Sequence, residues 1–308
     1  MSLRADRLGG LRRRTGTFCF LVLLGAAGSL AAAPRVLQVG PGKTYAVPSA
    51  AAAVAQDGDT VEIAAGTYTG DVCAWRAKNL TIRGAGRDKT ILDAAGKCCQ
   101  GKGTWIVKGE GCRVSGLTFK GAACADRNGA GIRLEGNGVF VVEKCRFTEN
   151  ENGILCGALD RAVVKIDGCV FDANGAGDGC SHNLYIGKIA ELDFTRCVSH
   201  HARLGHNLKS RAKITRVVDS TFDDGKDGTS SYLLNCPNGG EVTLTGCRFV
   251  QAPTASNGTM VSIGEEGAYP DSTVDVRKCT FVNRRTSGTC TEIRCAPGVR
   301  RLDSTRTR

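Results

Sequence analysis

The chain has 308 residues, 42% of them hydrophobic and only 6% aromatic, and a formal charge of +11. So basic a chain favours anionic partners, yet the scarce aromatics speak against a base-stacking platform and no nucleic-acid module is recognisable, so nucleic acid is not the expected partner. Sixteen cysteines without a CxxC pair or Cys/His pairs at zinc spacing exclude a zinc module and need another explanation.

In chain order, Arg4, Arg7, Arg12, Arg13 and Arg14 precede the apolar run Phe18–Leu24 and the small residues Gly25–Ala33. Basic head, apolar core and small residues before Pro34 predict a secretory signal peptide over 1–33. The run is too short for a transmembrane helix, and no second apolar span follows. The expectation is therefore an exported protein, periplasmic or extracellular, without membrane insertion after cleavage. The mature chain keeps a charge of about +7, which favours acidic polysaccharide. Loss of Cys19 leaves fifteen cysteines, so at least one is unpaired within the chain.

Residues 34–60 are expected to form an N-terminal cap, with SAAAAVAQ (Ser49–Gln56) as a short helix opened by Ser49. DGDTVEIAAGTY (57–68) then turns into the first strands. Beyond it the tripeptide C-x-F recurs at 145–147, 169–171, 247–249 and 279–281. Degenerate copies stand at 117–119, 197–199 and 220–222. Their last residues are 28, 24, 28, 23, 27 and 32 apart. Each copy follows an alternating apolar–polar stretch such as VVKID or AELDF, the pattern of a strand with one buried face. A second short strand precedes each, as in GIRLEG, GILCG, NLYIG and NLKSR, with Gly- and Asn-rich turns between.

Several short strands in a repeat of this length predict an all-β parallel solenoid over 61–283, each rung stacked about 4.8 Å above the last. Cys145, Cys169, Cys197, Cys247 and Cys279 then form one interior column, packing as small hydrophobes. Cys98, Cys99, Cys112, Cys124, Cys290 and Cys295 are better candidates for disulfides. The basic segment 284–308 lacks the period and reads as a tail.

With this repeat and the DGDTVEIAAGTY segment, the chain resembles the single-stranded right-handed parallel β-helix of the pectate-lyase-like superfamily. More narrowly, GHNLKSRA (205–212), CPNGG (236–240) and IGEEG (263–267) resemble a group of functionally uncharacterised bacterial exported β-helix proteins. The resemblance implies three strands per coil, with the C-x-F turn between the second and third. It makes NLYIG and NLKSR first strands, whose outward face carries saccharide in the superfamily's enzymes.

His-Asn-Leu occurs twice, with His182 and His206 24 residues apart, as the same position on adjacent rungs. Leu184, Ile186, Leu208 and Ser210 are expected to face inward. Asn183, Tyr185, Asn207, Lys209 and Arg211 are expected to face outward, with Arg133 and Glu135 in the same columns two rungs earlier. The expected function is binding of a uronate-containing polysaccharide, and its modification by lyase or epimerase chemistry. Lys209 and Arg211 would neutralise the carboxylate, His206 or His182 would be the base, and Tyr185 would donate to the leaving oxygen. Asn183, Asn207, Arg133 and Glu135 would bind the chain. Two readings compete: histidines that only brace turns, and a non-catalytic saccharide-binding or cell-envelope protein. No metal is expected, because His200, His201 and His206 show no fixed carboxylate or cysteine partner. Calcium among Asp178, Asp223, Asp224 and Asp227 stays open, although they form no calcium-loop motif.

Overall fold

The computed structural model describes residues 35–286, 288 and 290–302, so the expected signal peptide lies outside the described residues. Twenty-nine short strands wind into a parallel β-helix of three sheets. Each coil runs from a first-sheet strand through a second-sheet strand to a third-sheet strand, as in Leu184–Ile186, Ile189–Thr195 and Val198–His200. The first and third sheets hold nine strands each and the second eleven, every neighbour pair parallel and joined through a full coil. Among the described residues no helix is long and apolar enough to cross a membrane.

The ends differ from the sequence expectation. Val36–Val39, placed in the cap, already pairs with Thr60–Ile63 as the first rung of the second sheet. The helix is shorter than expected, Pro48–Ala52, with Pro48 in its first turn and Val47 before it. Ser49 is not its cap. Its hydroxyl and backbone N–H instead bond the Asp71 carboxylate from the following coil. At the other end, Thr291–Cys295 continues the first sheet and Arg300–Leu302 the second. The supposed tail thus adds rungs, with Ile293 stacked on Val261 in register.

The interior is built of columns. Cys145, Cys169, Cys197 and Cys247 are at most 2% exposed and Cys279 6%, and all five are free thiols. The Cys145 N–H points at Cys169 Sγ (3.4 Å), the Cys169 N–H at Cys197 Sγ (3.3 Å), and the Cys197 N–H at Ser220 Oγ (3.1 Å). Burial pushes the Cys145 and Cys197 thiols up, which keeps them protonated and unreactive. Among the described residues the one disulfide joins Cys98 to Cys124, while Cys112, Cys290 and Cys295 are free.

The Phe of each C-x-F unit lies one pleat further along. Phe119, Phe147 and Phe171 stack with ring centroids 5.1 and 4.9 Å apart, and Phe222, Phe249 and Phe281 each at 5.0 Å. The copy CVS puts Ser199 where the ring belongs. Phe194 of the second sheet fills that gap, 5.9 Å from Phe171 and 5.7 Å from Phe222. The turn before each column holds one residue in the left-handed region: Gly116, Lys144, Gly168, Arg196, Asp219, Gly246 and Lys278. Glycine takes this conformation freely, and elsewhere the stacked rungs must hold it against a steric cost.

A polar column runs beside these. Asn150 Nδ2 donates to Asn174 Oδ1 (3.0 Å), Asn174 Nδ2 to Asn183 Oδ1 (2.9 Å), and Asn183 Nδ2 to Asn207 Oδ1 (2.8 Å). Asn207 Nδ2 closes the series on Asp224 Oδ1 (2.7 Å). All five side chains are buried. They also hold turn backbone, for example Asn150 Nδ2 on the Phe119 carbonyl and Asn174 Nδ2 on that of Phe147, each at 3.0 Å. The expected outward position of Asn183 and Asn207 is thereby corrected. They precede the strand, where the chain leaves the pleat, and the turn aims them inward.

Two outcomes test this interior. Thiol labelling of native protein should modify exposed Cys180 promptly and leave Cys145, Cys169, Cys197 and Cys247 unmodified until the chain is unfolded; prompt labelling of those four contradicts the column. Phe171→Ala, which removes a fully buried ring from the stack, should cost about 3–5 kcal/mol in urea unfolding.

Candidate functional site on the first sheet

The outward positions of the first sheet form columns fixed by register. Arg133 pairs with Leu155, Leu155 with Tyr185, Tyr185 with Lys209, and Lys209 with Asn235. Two residues further along each strand stand Glu135, Gly157, Gly187 and Arg211. Two consecutive glycines thus remove the side chains between Glu135 and Arg211. A Cβ on Gly187 would lie 2.3 Å from the Gly157 carbonyl oxygen, so position 187 needs glycine, whereas one on Gly157 would meet only Arg133 Nη2 at 3.9 Å. The result is a groove of about 440 Å³, floored by Gly157 and Gly187 and walled by Arg133, Leu155, Tyr185 and Arg211, with Lys188 at its rim.

Arg211 organises one side. Its Nε donates to Tyr185 Oη (3.0 Å), its Nη1 to Asn238 Oδ1 (2.8 Å) and its Nη2 to Glu266 Oε2 (2.6 Å). Tyr269 donates its hydroxyl to the Arg211 carbonyl at 3.0 Å. Burial works against the charged guanidinium, but the bonds to Glu266 and Tyr185 outweigh it and raise its pKa. Burial also disfavours the Glu266 carboxylate, and Arg211 with Lys209 outweighs that, holding its carboxyl below the usual range. The segments 205–212, 236–240 and 263–267, far apart in sequence, therefore meet around one guanidinium.

Lys209 does not line the groove. Its ammonium lies 5.6 Å from the centroid of the Tyr185 ring and 3.6 Å from Glu266 Oε1, behind Tyr185. Glu135 is engaged by Lys102 (2.5 Å) and Lys108 (3.3 Å) rather than turned to a ligand. The Arg133 Nε is buried without a partner among the described residues.

The two histidines differ most from expectation. Their rings stack at 4.6 Å and are buried, His182 2% and His206 8% exposed. The His206 backbone N–H donates to His182 Nδ1 (3.0 Å), and the Tyr232 N–H to His206 Nδ1 (3.3 Å). With Nδ1 an acceptor, the neutral ring carries its proton on Nε2, and no lone pair is left to take one from a substrate. Burial first, and the Lys209 charge second, push the His206 pKa down to about 3. His182 is lowered by burial and then by His206, Lys209 and Arg211. The general-base role expected for His182 and His206 is corrected: they brace consecutive turns. Asp178 is likewise a cap, its Oδ1 accepting from the Cys180 and Ser181 N–H groups.

A family model described as "Right handed beta helix region" matches residues 66–264. The chain belongs to that family. The right-handed β-helix is also the fold of its solved neighbours. The chain is similar to a pectin methylesterase in complex with a hexasaccharide, with a TM-score of 0.58 and 10% identity over 86% of this chain and 92% of that one. Against the pectin methylesterase of Erwinia chrysanthemi the TM-score is 0.57 and the identity 11%, over 88% and 92% of the chains. Against that of carrot the TM-score is 0.54 and the identity 17%, over 90% and 91%. At these identities the likeness is one of fold. No curated protein matches the sequence.

Within this β-helix the neutral histidine pair makes stability depend on pH. In the unfolded chain histidine titrates near 6.5, but His206 in the folded one near 3. Between these values the unfolded state binds more protons, so stability is full above about pH 6.5 and falls as the pH drops, by about 1.4 kcal/mol per unit for each such ring. His206→Asn, whose Oδ1 can accept the same N–H, should flatten the loss between pH 6.5 and 4.5 in urea unfolding relative to wild type. An unchanged slope in the variant refutes the brace.

Proposed function

We propose that the groove binds an acidic, uronate-containing polysaccharide, in a protein exported to the periplasm or the exterior. The observation that carries this reading is the lining: Arg133, Lys188 and Arg211 contribute cations, Arg211 being paired with Glu266, and among the described residues no carboxylate lines the groove. The Arg133 guanidinium, whose buried Nε has no partner among the described residues, lines the groove and can meet a ligand carboxylate with a charge-assisted bond. Tyr185 offers a ring edge and a hydroxyl over a floor of bare backbone, a shape suited to a flat sugar ring. Support of a coarser kind is the hexasaccharide held by one of the fold neighbours. The 205–212, 236–240 and 263–267 segments converge on Arg211 and hold its guanidinium at the groove.

A second reading, lyase or epimerase chemistry, has one observation in its favour. Arg211 Nε donates to the Tyr185 oxygen (3.0 Å), which leaves the hydroxyl proton free for the groove. Tyr185 could then protonate a leaving oxygen while Arg211 and Arg133 neutralise the uronate carboxylate. With the histidines engaged in bracing, no histidine or carboxylate among the described residues faces the groove as a base, so binding is the reading favoured.

Calorimetric titration with oligosaccharides of alginate, pectate and glycosaminoglycan should show binding that weakens with salt. Arg133→Ala should weaken it about tenfold or more, the worth of one charge-assisted hydrogen bond, with an unfolding curve near wild type. Arg211→Lys, which also strips bonds from Asn238 and Glu266, should instead weaken binding and lower stability together. Equal affinity for neutral and acidic oligosaccharides, or no binding to either, sinks the proposal. Release of unsaturated uronate, followed by its ultraviolet absorbance and abolished in Tyr185→Phe, would establish the lyase reading.

A further inference from the structure

The third sheet carries an arrangement that the groove does not use. Asp172 and His200 are register partners on adjacent rungs, the last residues of Val170–Asp172 and Val198–His200. His201 follows in the left-handed region, φ 54°, which turns its ring back beside that of His200. The same turn position is left-handed at Glu149 and Ala173, so the coil imposes the conformation.

Three donor atoms meet there. His200 Nδ1 and His201 Nδ1 are 2.7 Å apart. Asp172 Oδ1 lies 3.2 Å from the first and 3.4 Å from the second. Two ring nitrogens that close share at most one proton or one cation between them. An ion bound at about 2.0–2.2 Å by imidazole and carboxylate holds its ligand atoms about 2.9–3.4 Å apart, depending on its coordination angles. The two separations to Asp172 fall within that range, and the 2.7 Å between the ring nitrogens lies just below it. The side chains are 24% to 43% exposed, so an ion can enter and water can complete its shell. Two further carboxylates stand close by: Asp223, paired with Arg284 at 3.5 Å, ends the next strand of the sheet, and the Asp224 Oδ1 accepts the His201 backbone N–H at 3.2 Å.

We propose that Asp172, His200 and His201 form a binding site for a divalent first-row transition ion of the zinc class. Two imidazole nitrogens and one carboxylate oxygen suit such an ion, whereas calcium needs six or more oxygen ligands. The remaining coordination positions face solvent. The site lies on the third sheet's outer face, so it stands or falls independently of the groove on the first.

The experiment titrates the purified full-length protein with Zn²⁺ in a calorimeter and with Co²⁺ in a spectrophotometer, at pH 7.5 or so. Expected are one equivalent bound, cobalt bands of a nitrogen–oxygen site without intense thiolate charge transfer, and a melting temperature raised by zinc. Asp172→Asn and His200→Gln should each weaken binding at least tenfold or so, and both should lose the thermal shift. Cys180→Ser, which removes the exposed thiol, should bind as wild type does. Asp172→Asn barely changes side-chain shape, so its melting curve without metal shows whether the fold is kept. Absence of binding, thiolate bands that vanish in Cys180→Ser, or undiminished binding by both Asp172→Asn and His200→Gln each overturns the site.

Discussion

Parallel stacking at one fixed spacing governs this molecule. Within the sheets each strand pairs with its equivalents one coil before and after, so a side chain's main neighbours are the residues at its own position on adjacent rungs. Chemistry must therefore work in columns. A ring meets rings, a thiol meets thiols, and a buried amide donates to the next amide. The amide column satisfies this demand because each Asn both accepts and donates. Its dipoles run head to tail from Asn150 and end on the Asp224 carboxylate, which needs no further donor beyond Ser230 and the backbone. The Ser199–Phe194 exchange shows the tolerance of the scheme. A column can miss one member when the neighbouring sheet supplies equal volume.

The same spacing shapes the outer faces. On the first sheet, two outward glycines in succession make a trough where other rungs carry side chains, and Tyr185, Arg133 and Arg211 become its walls. The guanidinium is held by groups from coils up to 55 residues distant in sequence. That restraint lowers the entropy a ligand must remove on binding. The histidine pair serves this site from behind: by accepting backbone N–H groups, His182 and His206 fix the turns that lead into the strands bearing Tyr185 and Arg211.

The repeat made the fold legible. A period near 25 residues and the alternation before each C-x-F unit are consequences of rung stacking, so the strands and the interior cysteine and phenylalanine columns follow from them. Lys209 and Arg211 face outward for the same reason, through strict alternation within Leu208–Ser210 and its flank. What the pattern hides lies in the turns. Asn183, Asn207, His182 and His206 stand just outside the pleat, where backbone conformation rather than parity decides direction. The extra rungs at Thr291–Cys295 and Arg300–Leu302 lack the C-x-F tag because that tag marks the turn into a third-sheet strand, and these two strands belong to the first and second sheets. The convergence of Asn238 and Glu266 on Arg211 depends on loop geometry that no local pattern encodes. The glycines at 157 and 187 were a usable signal, since both fall two residues after an outward position of the first strand.

The final second-sheet strand has a consequence for self-association. A parallel β-helix presents open backbone at its terminal rung, and an identical copy could continue the hydrogen bonding into a fibre. Here that strand reads Arg300-Arg301-Leu302, all exposed, and Arg294 stands exposed on the last first-sheet rung. A strand arriving at this edge from another copy would have to pack beside these guanidinium groups, and a basic strand would be repelled. Charged side chains on such an edge are one of the ways in which a stackable architecture is kept from pairing with further strands.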